Sequence, residues 1–439
     1  MYFFIKNYGC QMNIYDSLRI ADILTNAGHE AVLSVDEANL VILNTCSIRD
    51  KVDEKVFSDL GRLKTIKDGS SAIIAVAGCM AQLRSQDIIR RAPYVDIILG
   101  PQNIHQIAEI VADMIKNRAL DALVSTSSNA DDKFRQLSGK FHHRSVSEYL
   151  TIQEGCDNFC AYCIVPFTRG REFSRSVSDI VNESKNLISL GVKEITLLGQ
   201  NVNSYNGEGP DGKSCNLSRL LFELANMDGL ERLRYTTSHP RDVDLGIAKA
   251  HREIEILAPF LHIPVQSGSD NILKRMNRRY SRDEYFERIE MLREYRPDIA
   301  FSSDFIVGFP GENDDDFEQT LELAKKVNYA QAYSFKYSPR PGTIAAKMDN
   351  QISDDIKSER LQILQNLLNE QQSTFNQGFI GKHVNVLLVK DGKHEKQLVG
   401  RSEYSQAVSV CGNNISVGDM VKVRITAVAS HSLVGAAEQ

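Results

Sequence analysis

At 439 residues the chain has room for two or three domains, and 42% hydrophobic with 25% charged residues is the composition of an ordinary globular protein. No apolar run reaches the length of a bilayer span, so no membrane association is expected, and a net charge of −6 gives no global affinity for nucleic acid; any RNA contact must come from local Lys and Arg clusters. Eight cysteines without an export signal argue against a disulfide scaffold and for metal or redox chemistry in a reducing, cytoplasmic setting.

Met1 to Tyr8 carries Lys6 inside a short apolar run and reads as a strand rather than a leader. Runs suited to buried parallel strands recur at Tyr2-Ile5, Leu40-Leu43, Ala72-Ala77 and Val95-Leu99. Helical periodicity separates them over Asp16-Ala27, Val52-Ile66 and Ile104-Ile115. That alternation predicts a small doubly wound α/β domain over residues 1–118. Cys10, Cys46 and Cys79 each follow a predicted strand. The carboxyl ends of parallel strands share one edge, so three thiols distant in sequence can meet there as ligands of a metal cluster with one open position. Taken singly, each also reads as a small buried hydrophobe.

Residues 119–145 are polar and without apolar periodicity: Ser125, Thr126, Ser127, Ser128, Asn129, Asp131 and Asp132, then Lys140, His142, His143 and Arg144. They predict a linker lying over a site, with the two histidines solvated or against phosphate rather than on a metal.

The central domain, 146–375, opens on an apolar run (Tyr149, Leu150, Ile152) that leads into Cys156, Cys160 and Cys163, spaced C-x3-C-x2-C. Three thiols this close can converge on one metal centre, yet they fall one ligand short of a closed zinc site or a four-thiolate cluster. A zinc knuckle or a disulfide pair are the alternatives, and zinc would need a fourth ligand: no His or Cys follows Cys163 until Cys215. Arg169, Arg171 and Arg175 come next, candidates to bind a carboxylate or an RNA phosphate of the substrate or to make ordinary surface salt bridges. Strands are predicted at Glu194-Leu198, Arg232-Thr236, Leu261-Val265, Ala300-Val307 and Gln331-Tyr337. Helices over Ile180-Leu190, Leu217-Ala225, Asp283-Tyr295 and Asp315-Lys326 alternate with them. With the strand before Cys156 this makes six β/α units, an open partial barrel rather than a closed eight-stranded one. Polar groups at its strand ends are candidate site residues: Gln200 and Asn201, Ser238 and His239, Gln266 and Ser267, and Gly308 to Glu312.

An amphipathic helix from Asp354 to about Gln372 closes this region. Residues 376–439 then change character: short runs at Val384-Val389, Gln397-Gly400, Ala407-Cys411, Met420-Ile425 and Leu433-Gly435, separated by Gly, Asn and Asp turns, predict a small five-stranded β-barrel. Its charge is +2 against −8 for the preceding residues, which suits an RNA-binding accessory domain, with a capping domain as the alternative. Cys215 and Cys411 have no partners at ligand spacing and read as structural.

The C-x3-C-x2-C motif with an aromatic before its last Cys resembles the signature of radical S-adenosylmethionine (SAM) enzymes. YGCQMN, NTCSIRD and AGCMAQ resemble the N-terminal domain of the methylthiotransferase family. LLGQNVNSY, SHPRD, HIPVQSGSDNILKRMNR, DFIVGFPGE and YSFKYSPRPGT resemble its radical SAM core. GKHVNVLLV, LVGRSEY and VGDMVKVRITAVASHSLVG resemble its TRAM domain, so the resemblance covers essentially the whole chain.

The resemblance implies two 4Fe-4S clusters. Cys156, Cys160 and Cys163 would hold one, whose open iron chelates SAM and cleaves it reductively to a 5'-deoxyadenosyl radical. Cys10, Cys46 and Cys79 would hold an auxiliary one that carries sulfur. Tyr162 would lie against SAM through its backbone, and the strand ends with Gln200, Asn201, Ser238 and Gln266 would hold its methionine and ribose parts. VPFTRGREFSR and YFFIKNYGCQMN resemble most the branch that adds a methylthio group to C2 of N6-isopentenyladenosine at tRNA position 37, beside the anticodon. Other branches act on N6-threonylcarbamoyladenosine in tRNA or on an aspartate of a ribosomal protein. The implied partners are a tRNA anticodon loop gripped by the C-terminal barrel, an electron donor such as flavodoxin or ferredoxin, and a sulfur source. An RNA-binding iron-sulfur protein without radical chemistry would account for the C-terminal barrel but not for the ligand deficit at both centres.

Overall fold

In the first domain successive strand residues are buried on opposite faces. Leu40, Ile42, Ala75, Ala77, Ile97 and Leu99 pack on Ile20, Leu24, Ile107 and Val111. Val41, Leu43, Ile74, Val76 and Ile98 pack on Val56, Leu60, Met80 and Ile88. Strands buried on both faces belong inside a parallel sheet. The computed structural model, which describes residues 1–47, 50–70, 72–117, 122–127, 129–137, 140–142, 144–430 and 432–438, has that sheet. The elements run β1 (Tyr2–Asn7), α1 (Gln11–Asn26), β2 (Glu30–Ala31), β3 (Leu40–Thr45), α2 (Asp50–Asp68), β4 (Ile73–Gly78), α3 (Cys79–Arg91), β5 (Ile97–Leu99), α4 (Ile107–Asn117) and β6 (Leu123–Ser125). The six strands pair in parallel in the order β2-β1-β3-β4-β5-β6.

The structure departs from the sequence reading at several elements. Helix α1 starts at Gln11 rather than Asp16, because its first turns bury the polar Asn13 and Asp16, which interrupt the apolar count. Residues 119–145 are not simply a linker: 123–125 pair with β5 as the edge strand, and α5 (Ala130–Gln136) is capped by Asn129 accepting from the Asp132 amide and buries Lys133. A three-residue strand and a seven-residue polar helix are too short to show periodicity. His142 is held on α1, its amide donating to Asp22 Oδ1 at 3.1 Å and its ring bonded to Asn26 Oδ1 at 3.1 Å. His143 lies outside the described residues.

The central domain begins with β7 (Ser147–Thr151), followed by β8 (Gln153–Glu154), α6 (Val165–Thr168), β9 (Phe173–Ser174), α7 (Val177–Ser189) and β10 (Glu194–Leu198). A small antiparallel pair, β11 (Asn206–Glu208) and β12 (Ser214–Asn216), precedes α8 (Leu217–Ala225), β13 (Arg232–Tyr235) and α9 (Leu245–Glu253). Then come β14 (Phe260–His262), α10 (Asp270–Arg275), α11 (Arg282–Tyr295), β15 (Ala300–Val307), α12 (Asp314–Val327), β16 (Gln331–Lys336) and α13 (Asp354–Gln377). Six parallel strands form two three-stranded sheets, β13-β10-β7 and β14-β15-β16, joined through the Leu233–Leu257 bridge. This is the open, partial barrel of the sequence reading. Leu364 and Leu368 of α13 enter its core, and α13 runs five residues beyond its predicted end. No helix among the described residues is long and apolar enough to cross a membrane.

The last five strands, β17 (His383–Asp391), β18 (Gln397–Ser402), β19 (Ala407–Cys411), β20 (Met420–Ala429) and β21 (Ser432–Ala437), close into a barrel in the order β17-β18-β19-β21-β20. Val384, Val386, Leu388, Val408, Val410, Val423, Ile425 and Leu433 fill it. Cys215 is buried beside β11, whereas Cys411 is exposed and supports no packing.

The small barrel docks on the amino ends of β10 and β13. Glu194 gathers Arg234 Nε at 2.8 Å and Arg232 Nη1 at 3.3 Å. The two guanidiniums then donate to barrel carbonyls: Arg232 to Arg401 O (2.9 Å) and Asn385 O (2.8 Å), Arg234 to Ser402 O (2.7 Å) and Glu403 O (2.9 Å). Removing one member of such a buried network strands the others. Arg234→Met is expected to destabilise the docked barrel by roughly 3 kcal/mol, seen as a lower unfolding midpoint and faster proteolysis after α13. Burial disfavours the Glu194 carboxylate, but Arg234 and Arg232 outweigh it and hold its carboxyl below the usual range. A depressed folded pKa means this contribution is complete above the unfolded value of about 4.3 and is lost as pH falls through the folded one. The stability gap between wild type and Glu194→Gln is therefore expected to shrink in thermal melts below about pH 4.

Candidate functional site

Cys10 caps α1 after β1, Cys46 follows β3, and Cys79 opens α3 after β4, and these three strands are sheet neighbours. A reciprocal amide pair draws the loops together: Asn13 Nδ2 donates to Asn44 Oδ1 (3.1 Å) and Thr45 O (2.9 Å), and Asn44 Nδ2 donates to Asn13 O (2.8 Å). Gly78 sits at φ +94°, where a Cβ would lie 2.3 Å from Thr45 O, so this crossing requires glycine. A hydrogen bond with Cys46 draws the Cys10 thiol down to about 6 against the effect of burial, with help from Arg169; burial pushes Cys79 up. Cys10 packs with Met12, Tyr15, Phe134, Tyr149 and Leu198, so this edge of the first domain rests on β7 and the carboxyl end of β10.

The C-x3-C-x2-C loop is closed off by the antiparallel pairing of β8 with β9. Gly155 begins it at φ +84°, and a Cβ there would meet Arg171 O at 2.0 Å. Its amide donates to Gln200 Oε1, while Gln153 Oε1 accepts from the Gln200 and Asn201 amides at 3.0 and 3.3 Å, which fastens the loop to the end of β10. The backbone then turns at Phe159 (φ +49°), and Asn277 Nδ2 clasps the Asn158 and Phe159 carbonyls at 3.2 and 3.0 Å. Ala161 pairs with Met276 O (2.9 Å) and with the Ala345 amide (2.8 Å), and Tyr162 stands edge-on to Phe309 at 6.5 Å. All three thiols accept donors: Asn158 Nδ2 to Cys156 (3.4 Å), Arg278 Nη1 to Cys160 (3.5 Å) and the Val165 amide to Cys163 (3.5 Å). Burial raises Cys156 and pushes Cys163 up to about 12, so ionisation there calls for a metal.

Among the described residues no three His, Cys, Asp or Glu side chains close in on a point where a single ion would sit. A cluster, by contrast, spreads its thiolates over separate irons, and two triplets of partly or fully buried thiols, each without a fourth Cys, fit that requirement. The strand ends offer groups for a polar ligand. Ser238 Oγ, His239 Nε2 and both amide atoms of Asn203 are buried without a protein partner. Burial, with Arg278, Arg241 and Arg279, pushes His239 down to about 2, so its imidazole is neutral. Its Nδ1 accepts from the Arg241 amide at 3.3 Å, which leaves Nε2 as the donor. Asn201 bridges Asp242 (2.6 Å) and the His239 amide (3.1 Å), and Gln266 holds φ +73° in its pairing with β15. Glu312 instead serves structure, accepting from the Gly308 amide (2.9 Å) and Arg360 (2.8 Å) of α13.

The arginine trio needs correction. Arg169 is 3% exposed, paired with Asp16 Oδ2 at 2.7 Å and with Glu154, and lies against Cys79 and Cys10. Lys133 completes the group, 2.8 Å from Asp16 and 2.9 Å from Glu154. Burial opposes the Asp16 carboxylate, yet Arg169 and Lys133 hold its carboxyl below the usual range. Arg175 is likewise buried, on Glu183 (2.6 Å) and the Thr151 carbonyl (2.7 Å). Both are turned inward, buried away from a substrate phosphate, and Arg175 Nε is itself enclosed without a protein partner. Arg171 alone of the three is exposed, 2.8 Å from Asp157. It lines a cleft of about 330 Å³ with Gln82, Gln102, Asp131, Phe167 and Glu172, where the first domain meets the loop after Cys163. Sequence reading missed Asp16, Lys133, Glu154 and Arg278; none stands in a pattern that separates it from a surface charge.

Residues 2–100 match the uncharacterized protein family UPF0004, residues 150–324 the radical SAM superfamily and residues 377–437 the TRAM domain. Among solved structures, the radical SAM methyltransferase TsrM from Kitasatospora setae, with cobalamin and a [4Fe-4S] cluster bound, superposes with a TM-score of 0.57 at 12% identity, over 79% of this chain and 77% of that one. The cobalamin-dependent SAM radical enzyme OxsB, with aqua-cobalamin and SAM bound, gives 0.51 at 13% identity over 85% and 56%. At such identities the likeness is one of fold. The TRAM match supports RNA binding, and the radical SAM match implies a 4Fe-4S cluster and SAM. The three domains in this order place the chain in the radical SAM methylthiotransferase family.

Proposed function

We propose that the protein adds a methylthio group to C2 of N6-isopentenyladenosine at position 37 of tRNA, with Cys156, Cys160 and Cys163 holding the SAM-binding cluster and Cys10, Cys46 and Cys79 an auxiliary one. The observation that carries this reading is the mutual placement of the triplets: Asp16 lies on the helix that Cys10 caps, Glu154 just ahead of Cys156, and both are bound by Arg169 and Lys133. When bound, the groups supply a hydrogen-abstracting radical at one centre and sulfur at the other. The chain's part is to hold both within reach of one substrate carbon and to exclude water. Ser238, Asn203 and neutral His239 offer hydrogen bonds to SAM. The C-terminal barrel, with its exposed Lys390, Lys396 and Arg424, would hold the anticodon arm. A base in that loop can be splayed into a pocket without melting a duplex. The reading also requires a low-potential electron donor such as flavodoxin or ferredoxin, a sulfur source and a reducing compartment such as the cytoplasm.

Anaerobic reconstitution with iron and sulfide, then incubation with SAM, dithionite and isopentenylated tRNA, is expected to give the 2-methylthio nucleoside by mass spectrometry. Formation of 5'-deoxyadenosine with this tRNA unmodified would move the substrate to threonylcarbamoyl-tRNA or the ribosomal protein. Changing Cys156, Cys160 or Cys163 to Ala is expected to abolish 5'-deoxyadenosine formation while RNA affinity persists. Changing Cys10, Cys46 or Cys79 to Ala is expected to spare SAM cleavage and remove the thiomethylated product.

A further inference from the structure

Eight arginines are buried among the described residues, and seven of them are ion-paired: Arg19 and Arg144 with Asp22, Arg169 with Asp16 and Glu154, Arg175 with Glu183, Arg232 and Arg234 with Glu194, and Arg360 with Glu312. The eighth is Arg278, 5% exposed. Its Nε donates to Tyr280 Oη at 3.0 Å, its Nη2 to Pro264 O at 2.8 Å and its Nη1 to Cys160 Sγ at 3.5 Å. None of these is a carboxylate. His239, in the same surroundings, is neutral and offers no negative charge. A guanidinium taken out of water without a counter-charge is strongly disfavoured, so a chain that buries one does so where an anion is to come.

The anion that Arg278 Nη1 already touches is the Cys160 thiolate, formed when Cys156, Cys160 and Cys163 ionise around iron. We propose that Arg278 is the fixed counter-cation of the centre held by these cysteines, raising its reduction potential by stabilising the negative charge gained with an added electron. The inference rests on the cysteine assignment proposed above. Charge and hydrogen bonds to the ligating sulfurs are the means by which a protein sets such potentials. Arg169 makes the contrast. It lies against Cys79 and Cys10, but its charge is already offset by Asp16 and Glu154, so the two centres sit beside guanidiniums of unequal net effect. Arg278 is thus a positioning residue, acting through the thiolates rather than on substrate.

The test uses the full chain carrying Cys10→Ala, Cys46→Ala and Cys79→Ala, so that only one centre is loaded, reconstituted with iron and sulfide. Its midpoint potential is read by spin resonance during reductive titration without SAM. Arg278→Gln is expected to shift the midpoint to more negative potential, whereas Arg278→Lys, which keeps the charge, stays near the parent. Iron uptake by the Lys variant but not the Gln variant would also support the need for charge. A fully loaded Gln variant with an unchanged midpoint overturns the inference, as does equal loss of iron in both variants, which would assign Arg278 to packing alone. If the parent with Arg278 intact takes up no cluster, the cysteine assignment itself fails and the inference falls with it.

Discussion

Everything about the placement of the two thiol triplets depends on four charges buried at one point. Asp16, Lys133, Glu154 and Arg169 come from a helix of the first domain, the short α5, the strand before Cys156 and the turn after α6, and their side chains are at most 3% exposed. Each charge alone would be ruinous in that position, and together they cancel. Such a group tolerates little displacement, because any shift leaves an acid or a base unpaired in a low-dielectric interior. A junction made only of apolar side chains could slide and repack; this one has a single arrangement in which all four are satisfied.

The fold was largely legible because burial writes itself into the strand pattern. The inner strands β3, β4 and β5 of the first domain are largely continuous apolar runs that are hard to mistake, whereas β13 carries Arg232 and Arg234 and the short β2 and β6 show no pattern. The cysteine motif stood out through spacing alone. What the sequence concealed is the use to which polar residues are put. Arg169, Arg171 and Arg175 occupy one short segment, yet two are interior braces and one is solvated. A guanidinium near a cluster loop has the same letter whether its partner is a phosphate or a carboxylate from another domain. Lys133, in a polar stretch with no periodicity, is fully buried because Asp16 and Glu154 wait for it, a fact of tertiary structure only.

A similar economy governs the strand ends of the central domain. Gln153, Gln200, Asn201 and Asp242 form a chain of hydrogen bonds, Gln153 to the Gln200 and Asn201 amides and Asn201 on to Asp242, that fixes where the cysteine loop begins relative to β10 and β13. Ser238, Asn203 and His239 stand among them with atoms left over. The residues that position the loop and those with spare hydrogen-bonding capacity thus interleave along the same edge, so sequence order does not separate scaffold from binding groups.

The C-terminal barrel is held differently. Arg232 and Arg234 reach it mainly through the main-chain carbonyls of Arg401, Ser402, Glu403 and Asn385, with the Met420 and Ser405 side chains as the two further acceptors. A carbonyl is present whatever side chain its residue carries. Apart from Met420 and Ser405, the outward faces of the barrel are therefore free to drift in sequence without loosening its seat, and evolution can remodel what this module touches while the body beneath it stays unchanged.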